Sequence, residues 1–180
     1  MKKVLYFLIP LVTIIILLYL NDSKPPFIDS QIGGKADLAY NIELLEDKEN
    51  LEILVTENDY TKNELVYEVY NDEGDFALKK IDKLKALSTF TVLYDENEDI
   101  KSLSYEFSLN NKSTLPVLET IIRSTLIDLT DAGYKAVKDY LKIPEDSANL
   151  KYDRRRFITS GKTLSLIYNK ETNSFLFLIK

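Results

Sequence analysis

The stretch Ser102–Leu109 reads SLSYEFSL and gives the clearest indication of the fold class. Apolar and polar residues alternate along it without a break, so every second side chain belongs to the same face of an extended strand. One face carries leucine, tyrosine and phenylalanine, and the other carries serine and glutamate. Strands with one buried and one hydrated face are typical of antiparallel sheets. We therefore predict an antiparallel sheet with its core on one side.

Further strand signals lie on both sides of this stretch. Upstream, residues 51–55 and 65–69 have the composition or the alternation of strands. Downstream, the chain closes with apolar segments at 157–158, 164–168 and 175–179. This spacing predicts an antiparallel meander. Its first turn, Ser160–Thr163, resembles the end of a phosphate-binding loop, but Arg156 stands where that loop requires glycine, so we interpret the segment as a hairpin turn.

Helical signals alternate with these strands. An apolar stripe predicts a helix over residues 36–49, although a strand through its middle is an alternative. A second stripe predicts a helix over 77–87, and residues 88–94 fit either its extension or a strand. Two more helices are predicted to begin near Ser113 and Thr130, residue types that favour helix N-termini. The fold class is therefore α+β, an antiparallel sheet of roughly five to seven strands with helices packed on one face.

The sequence of the N-terminus indicates a membrane-spanning segment. Lys2 and Lys3 precede an uncharged apolar run of 17 residues, Val4–Leu20. As a helix, such a run spans about 26 Å, slightly less than the ~30 Å hydrocarbon core of a bilayer. A cleaved signal peptide is the alternative, but its apolar part is usually shorter and ends in small residues. We predict that residues 1–20 form a single N-terminal transmembrane helix.

The rest of the chain divides into a linker and one domain. Residues 21–34 are predicted to be a linker because they contain a proline pair and a glycine pair. Residues 35–180 are predicted to form a single extracytoplasmic α+β domain. Two lysines precede the apolar run, whereas the segment after it carries no net charge, which favours a cytoplasmic N-terminus. The predicted localisation is the cell membrane, single-pass, with the C-terminal domain outside.

Charge and composition exclude several function classes. The chain has 23 basic and 29 acidic side chains, and residues 27–180 alone carry a net charge of −8, because only three lysines and one aspartate precede them. This acidity argues against a nucleic-acid partner. Histidine and cysteine are absent, which removes Ser-His-Asp and Cys-His catalysis and the usual zinc sites. We predict no cofactor and no enzymatic activity.

The densest acidic segment follows residue 94. Asp95, Asn97, Asp99 and Glu106 match positions 1, 3, 5 and 12 of a calcium-binding EF-hand loop. Ile100, however, stands where that loop needs glycine, and Glu106 lies within a predicted strand. We interpret the segment as a solvated acidic turn and keep a metal site at these four residues as the lesser alternative.

Three of the four arginines are consecutive, at Arg154, Arg155 and Arg156. Guanidinium groups bind carboxylates and phosphates well, so the triplet is a candidate site for a protein partner or an anionic polymer. In a strand, Arg154 and Arg156 would share one face and Arg155 would lie on the other. Pairing with nearby acidic residues of the same domain is the alternative.

These observations predict a membrane-anchored, extracytoplasmic binding or accessory module without catalytic activity. It would be tethered by its N-terminal helix and would contact a membrane protein, a peptide or an envelope polymer. The alternative is a carboxylate- or metal-dependent hydrolase that uses the acidic segment, since carboxylates are the titratable groups left to such an enzyme.

Overall fold

The computed structural model describes residues 28, 30–59, 63–71, 86–109, 113–143 and 154–180. Within these ranges the chain is an α+β fold. The helices are α1 (Lys35–Glu49), α2 (Thr114–Thr125) and α3 (Asp131–Leu141). The strands are β1 (Gln31–Ile32), β2 (Leu51–Asp59), β3 (Glu64–Asn71), β4 (Ser88–Tyr94), β5 (Ile100–Phe107), β6 (Leu126–Ile127), β7 (Arg154–Thr159), β8 (Lys162–Asn169) and β9 (Ser174–Ile179).

Seven strands form one sheet in the order β2-β3-β4-β5-β9-β8-β7. Every neighbouring pair is antiparallel, and among the described strands β2 and β7 are the edges. The short strands β1 and β6 pair separately. This architecture confirms the α+β class and the antiparallel sheet that the alternating stretch predicted.

One face of the sheet, here called the inner face, forms the core. Tyr67, Phe90, Tyr105, Phe177 and Leu166 lie opposite one another on successive strands, and all five are buried. Aromatic rings contact one another across this face at centroid distances of 4.6–5.9 Å. The chain of rings runs through Tyr67, Phe90, Tyr105, Phe107, Phe175 and Tyr168. Such contacts add to the burial of apolar area that holds the sheet together.

The helices cover the inner face. Helix α1 buries Leu38, Ile42 and Leu45, which recur at the spacing of one helix face. These residues and the buried residues of α2 belong to the same cluster as the inner face of the sheet. Helix α3 lies near the β7 edge, where the Tyr140 and Phe157 rings meet edge to face at 5.7 Å.

Most of the predicted elements agree with the structure. The central alternation lies in β5, the helix predicted over 36–49 is α1, and the C-terminal meander is β7, β8 and β9. Residues 88–94, which fitted a helix or a strand, form β4. Because every second residue of β4 is buried, a strand places its apolar residues in the core. The helix predicted over 77–87 lies largely outside the described residues.

The folded part begins before Lys35, the first residue of the predicted domain. Gln31 and Ile32 pair with β6, and the Thr159 hydroxyl donates a hydrogen bond to the Ile28 carbonyl at 3.1 Å. Ile28 and residues 30–34, which belong to the predicted linker, therefore contact the domain. Residues 1–27, which include the predicted transmembrane helix, lie outside the described residues. Among the helices that are described, none is both long enough and apolar enough to cross a bilayer.

Candidate functional site

The acidic turn between β4 and β5 is held by hydrogen bonds among its own residues. The Asp95 carboxylate accepts hydrogen bonds from the backbone N–H groups of Asn97, at 2.8 Å, and Asp99, at 3.1 Å. Turns are commonly stabilised by an aspartate whose carboxylate accepts hydrogen bonds from backbone N–H groups a few residues later in the chain. Glu98 lies on the exposed surface 3.8 Å from the Lys35 ammonium group. The first carboxylate of the segment thus has a structural role.

Glu106 is not part of this turn. It lies six residues beyond Ile100 along β5, a separation of about 20 Å in an extended strand. Its carboxylate accepts a hydrogen bond from the Ser174 hydroxyl at 3.0 Å. The structure therefore does not bring the four residues of the predicted metal site together. Throughout the described ranges, no three acidic side chains converge in a way that could hold a metal ion.

The arginine triplet lies on β7, at the edge of the sheet. Arg155 is opposite Leu166 on the inner face and is half-buried, whereas Arg156 is opposite Ser165 on the other face and is exposed. The Arg154 backbone pairs with Ile167. Consecutive strand residues point to opposite faces, so the described arginines do not form one continuous cationic surface.

The face of the sheet opposite the core, here called the outer face, presents half-exposed and exposed side chains. Its central row consists of Thr56, Val66, Thr91, Ser104, Leu178, Ser165 and Arg156. A second row consists of Leu54, Glu68, Thr89, Glu106, Leu176 and Ile167. Apart from the buried Ser165, every side chain in these rows reaches solvent. The face therefore mixes aliphatic and hydroxyl groups, with glutamates toward β2 and an arginine at β7.

Arg123 was not singled out in the sequence, although its guanidinium group makes three hydrogen bonds. Its guanidinium group donates to the carboxylates of Glu119, at 2.8 Å, and Asp131, at 2.9 Å, and to the Leu129 carbonyl at 3.1 Å. It also stacks over the Tyr134 ring, 4.8 Å from the centroid. The four-residue spacing from Glu119 to Arg123 on a predicted helix was a signal that could have revealed it.

Arg123 lines a groove of about 390 Å³ between the three helices. Burial raises the pKa of Tyr134 to about 12 and so keeps its hydroxyl group neutral. The guanidinium group already donates hydrogen bonds to two carboxylates and a carbonyl, so it connects α3 to α2 and these donors are not available to a ligand. The groove therefore lies at a packing contact between helices.

Other groups with a shifted pKa also have structural roles. Burial raises the pKa of Glu46, whose carboxylate accepts a hydrogen bond of 2.5 Å from the Ile53 backbone N–H and so connects α1 to β2. Burial likewise raises the pKa of Tyr67 and Tyr94, whose hydroxyl groups contact each other inside the core. Perturbed titratable groups often indicate active sites, but Glu46, Tyr67 and Tyr94 each lie at a contact between elements of the fold.

Comparison with known proteins does not identify a relative, since no family model, curated protein or solved structure matches this chain.

Proposed function

We propose that this protein is a membrane-tethered binding module without catalytic activity, whose domain lies outside the cytoplasm and binds a partner protein. The observation that carries the proposal is the outer face of the sheet, where aliphatic and hydroxyl side chains reach solvent on adjacent strands. Ile167, Leu176 and Leu178 adjoin one another there, and a contiguous group of apolar side chains that reach solvent often marks an interaction site. Glu46, Tyr67, Tyr94 and Arg123, by contrast, make hydrogen bonds that connect elements of the fold.

Charge favours a protein as the partner over an anionic polymer. Residues 27–180 carry a net charge of −8, which opposes the approach of a polyanion. Arg155 and Arg156 lie on opposite faces of β7, so they do not line up as a polyanion would require. A protein surface with exposed aliphatic groups and some basic residues complements the outer face better.

The proposed tether keeps the domain close to its membrane. Only seven residues separate Leu20 from Ile28, so the connection spans at most about 29 Å. Ile28 and Ser30 accept hydrogen bonds from the hydroxyl groups of Thr159 and Ser160, at the β7–β8 turn. This end of the sheet would face the bilayer, and the outer face would be within reach of a neighbouring membrane protein.

Site-specific photo-crosslinking in intact cells tests the proposal. A photoreactive residue at Thr89, exposed on the outer face, is expected to capture one defined partner. The same residue at Tyr40, which is exposed on α1, is the matched control and should not capture it. Replacement of Leu178 by Asp in the Thr89 variant should abolish capture, while circular dichroism confirms that the fold is retained.

Equal capture from Tyr40 and Thr89 would contradict a role for the outer face. The tether is tested separately by adding protease to intact cells. If the domain lies outside, the protease degrades it while a cytoplasmic control protein survives. Protection of the domain, or recovery of the whole chain in the soluble fraction, would contradict the proposed localisation.

A further inference from the structure

The two edges of the sheet carry opposite charge. Strand β2 contains three acidic residues and no basic one, whereas β7 contains three arginines and no acidic residue. In the described part of the chain, β2 pairs only with β3, and β7 only with β8. Each edge therefore has one side without a described strand partner.

Both edges also present a large apolar side chain to solvent. Val55 on β2 is 51% exposed, and Ile158 on β7 is 72% exposed. Soluble proteins usually protect their sheet edges from pairing with another chain, and an exposed apolar residue on an edge strand favours such pairing. Charge of one sign on each edge determines which edges can meet.

The strand directions restrict the geometry further. Because the sheet has seven strands and each neighbouring pair is antiparallel, the first and last strands run in the same direction. A second copy that continues the sheet, with its helices on the same side, therefore places its β2 parallel to β7 of the first copy. Symmetric pairing of like edges would instead bring arginine against arginine or glutamate against glutamate, which is unfavourable.

We propose that the β7 edge of one copy binds the β2 edge of a second copy and so extends the sheet from molecule to molecule. The contact is heterologous, because each copy uses a different edge, and repetition produces an open row of domains. The proposed membrane tether would hold all copies with the same end toward the bilayer, which agrees with parallel pairing. The edge contact itself does not require the tether.

One register satisfies the faces of both strands. If Arg156 lies beside Glu52, then Ile158 lies beside Leu54 on the outer face and Phe157 lies beside Ile53 on the inner face. In each of these three pairs, the residue on β7 and the residue on β2 lie on the same face of the sheet in a single chain. The register therefore joins unlike charges and apolar side chains without rotating either strand.

Disulfide crosslinking tests this register, because the chain has no cysteine of its own. The full-length chain is purified in mild detergent as two variants, Ile158→Cys and Leu54→Cys. Mild oxidation of their mixture is expected to give a covalent dimer, since neighbouring side chains of paired strands lie about 5 Å apart. Thr89→Cys, exposed in the middle of the outer face, replaces Leu54→Cys in the matched control and should give little dimer.

Charge variants test what selects the edges. Arg156→Glu in the Ile158→Cys chain is expected to lower the dimer yield about threefold to fivefold, and raised salt should weaken the unmodified pair. Glu52→Arg in the Leu54→Cys chain should restore the yield of the Arg156→Glu chain. Thermal melting of each variant verifies that it is folded.

Two results would overturn the proposal. The first is that Ile158→Cys alone gives as much dimer as the mixture, which would show symmetric pairing of β7. The second is that folded variants stay monomeric at every concentration. Neither result bears on the proposed partner of the outer face, which the photo-crosslinking at Thr89 tests independently.

Discussion

The hydroxyl oxygens of Tyr67 and Tyr94 lie 2.8 Å apart in the core, where the two residues are only 3% and 4% exposed. They project from the adjacent strands β3 and β4, on the inner face of the sheet. Each hydroxyl group would be costly to bury alone, and their mutual hydrogen bond offsets part of that cost. The pair thus makes the polar ends of two core residues compatible with burial.

Loss of both hydroxyl groups should therefore cost less than the sum of the two single losses. We expect Tyr94→Phe to lower the free energy of unfolding by about 1–2 kcal/mol, because it leaves the Tyr67 hydroxyl group buried without its partner. Tyr67→Phe should have a similar effect. The double variant should cost clearly less than the sum of the two, as urea unfolding in a double-mutant cycle would show. Strictly additive effects would contradict coupling between the two hydroxyl groups.

Stability should fall at high pH because of buried tyrosines. Burial raises the pKa of Tyr105 to about 12 and also raises the pKa of Tyr67 and Tyr94. A tyrosine in the unfolded chain has a pKa near ~10, so above that pH the unfolded state binds fewer protons than the folded state. Stabilisation by Tyr105 is complete below pH ~10 and is lost as the pH rises through about 12, and Tyr67 and Tyr94 act in the same direction.

Ultraviolet titration of tyrosinate at increasing pH measures this effect. Buried tyrosines should ionise at a higher pH than the exposed ones. Their ionisation should coincide with loss of the far-ultraviolet circular dichroism signal. Tyr105→Phe should remove one high-pH transition. If all tyrosines ionised near pH ~10 in the folded protein, that result would contradict the burial of these hydroxyl groups.

Arg123 should contribute to stability through its fork of hydrogen bonds. Arg123→Lys keeps the charge but cannot bond to Glu119, Asp131 and the Leu129 carbonyl at once. We expect it to lower the free energy of unfolding by about 1 kcal/mol, and Arg123→Ala by about 1–2 kcal/mol. Arg156→Lys, at an exposed position, is the matched control and should stay within ~0.5 kcal/mol in urea unfolding.

Gly33 should not tolerate a side chain. A Cβ atom there would lie 1.9 Å from the Ser124 carbonyl oxygen, where β1 approaches the end of α2. We expect Gly33→Ala to cost more than ~2 kcal/mol and to separate β1 from β6, which hydrogen exchange would detect. Gly161→Ala meets no atom within 4 Å but has a positive φ of 74°, so it should cost only about 1 kcal/mol. Equal effects would contradict the close approach at Gly33.

The Asp95 carboxylate should stabilise the β4–β5 hairpin without a metal ion. Asp95→Ala removes the acceptor for the Asn97 and Asp99 N–H groups and should cost about 1 kcal/mol, whereas Asp95→Asn keeps an acceptor oxygen and should cost less. Millimolar Ca²⁺ should leave the melting temperature unchanged, because Glu106 lies far along β5. A clear rise in melting temperature with Ca²⁺ would revive the metal hypothesis.

Much of the fold could be predicted from local patterns. Alternation at Ser102–Leu109 predicted β5 and an antiparallel sheet, because only an extended strand places every second side chain on one buried face. Thr130 predicted the start of α3, and its hydroxyl group accepts a hydrogen bond from the Gly133 N–H. Residues 88–94 could not be assigned, since the choice between helix and strand depended on the neighbours β3 and β5.

The candidate sites were less predictable, because side chains far apart in sequence meet only in the folded chain. Spacing alone suggested that Glu106 could join the acidic turn, but the extended course of β5 carries it away. For the triplet Arg154–Arg156, the alternation of a strand predicted that Arg155 and Arg156 lie on opposite faces, and the pairing of β7 with β8 agrees, but only the folded chain placed that strand at the edge of the described sheet. Arg123 was overlooked, since its partners come from α2, the following loop and α3.

Local periodicity and composition were enough to predict the α+β class, most strand and helix positions and the acidity of the domain. The strand order is visible only in the folded chain, and with it the placement of an acidic strand at one edge of the described sheet and an arginine-rich strand at the other. Strand pairing joins segments that are distant along the chain, and their packing against the helices selects one arrangement of the sheet.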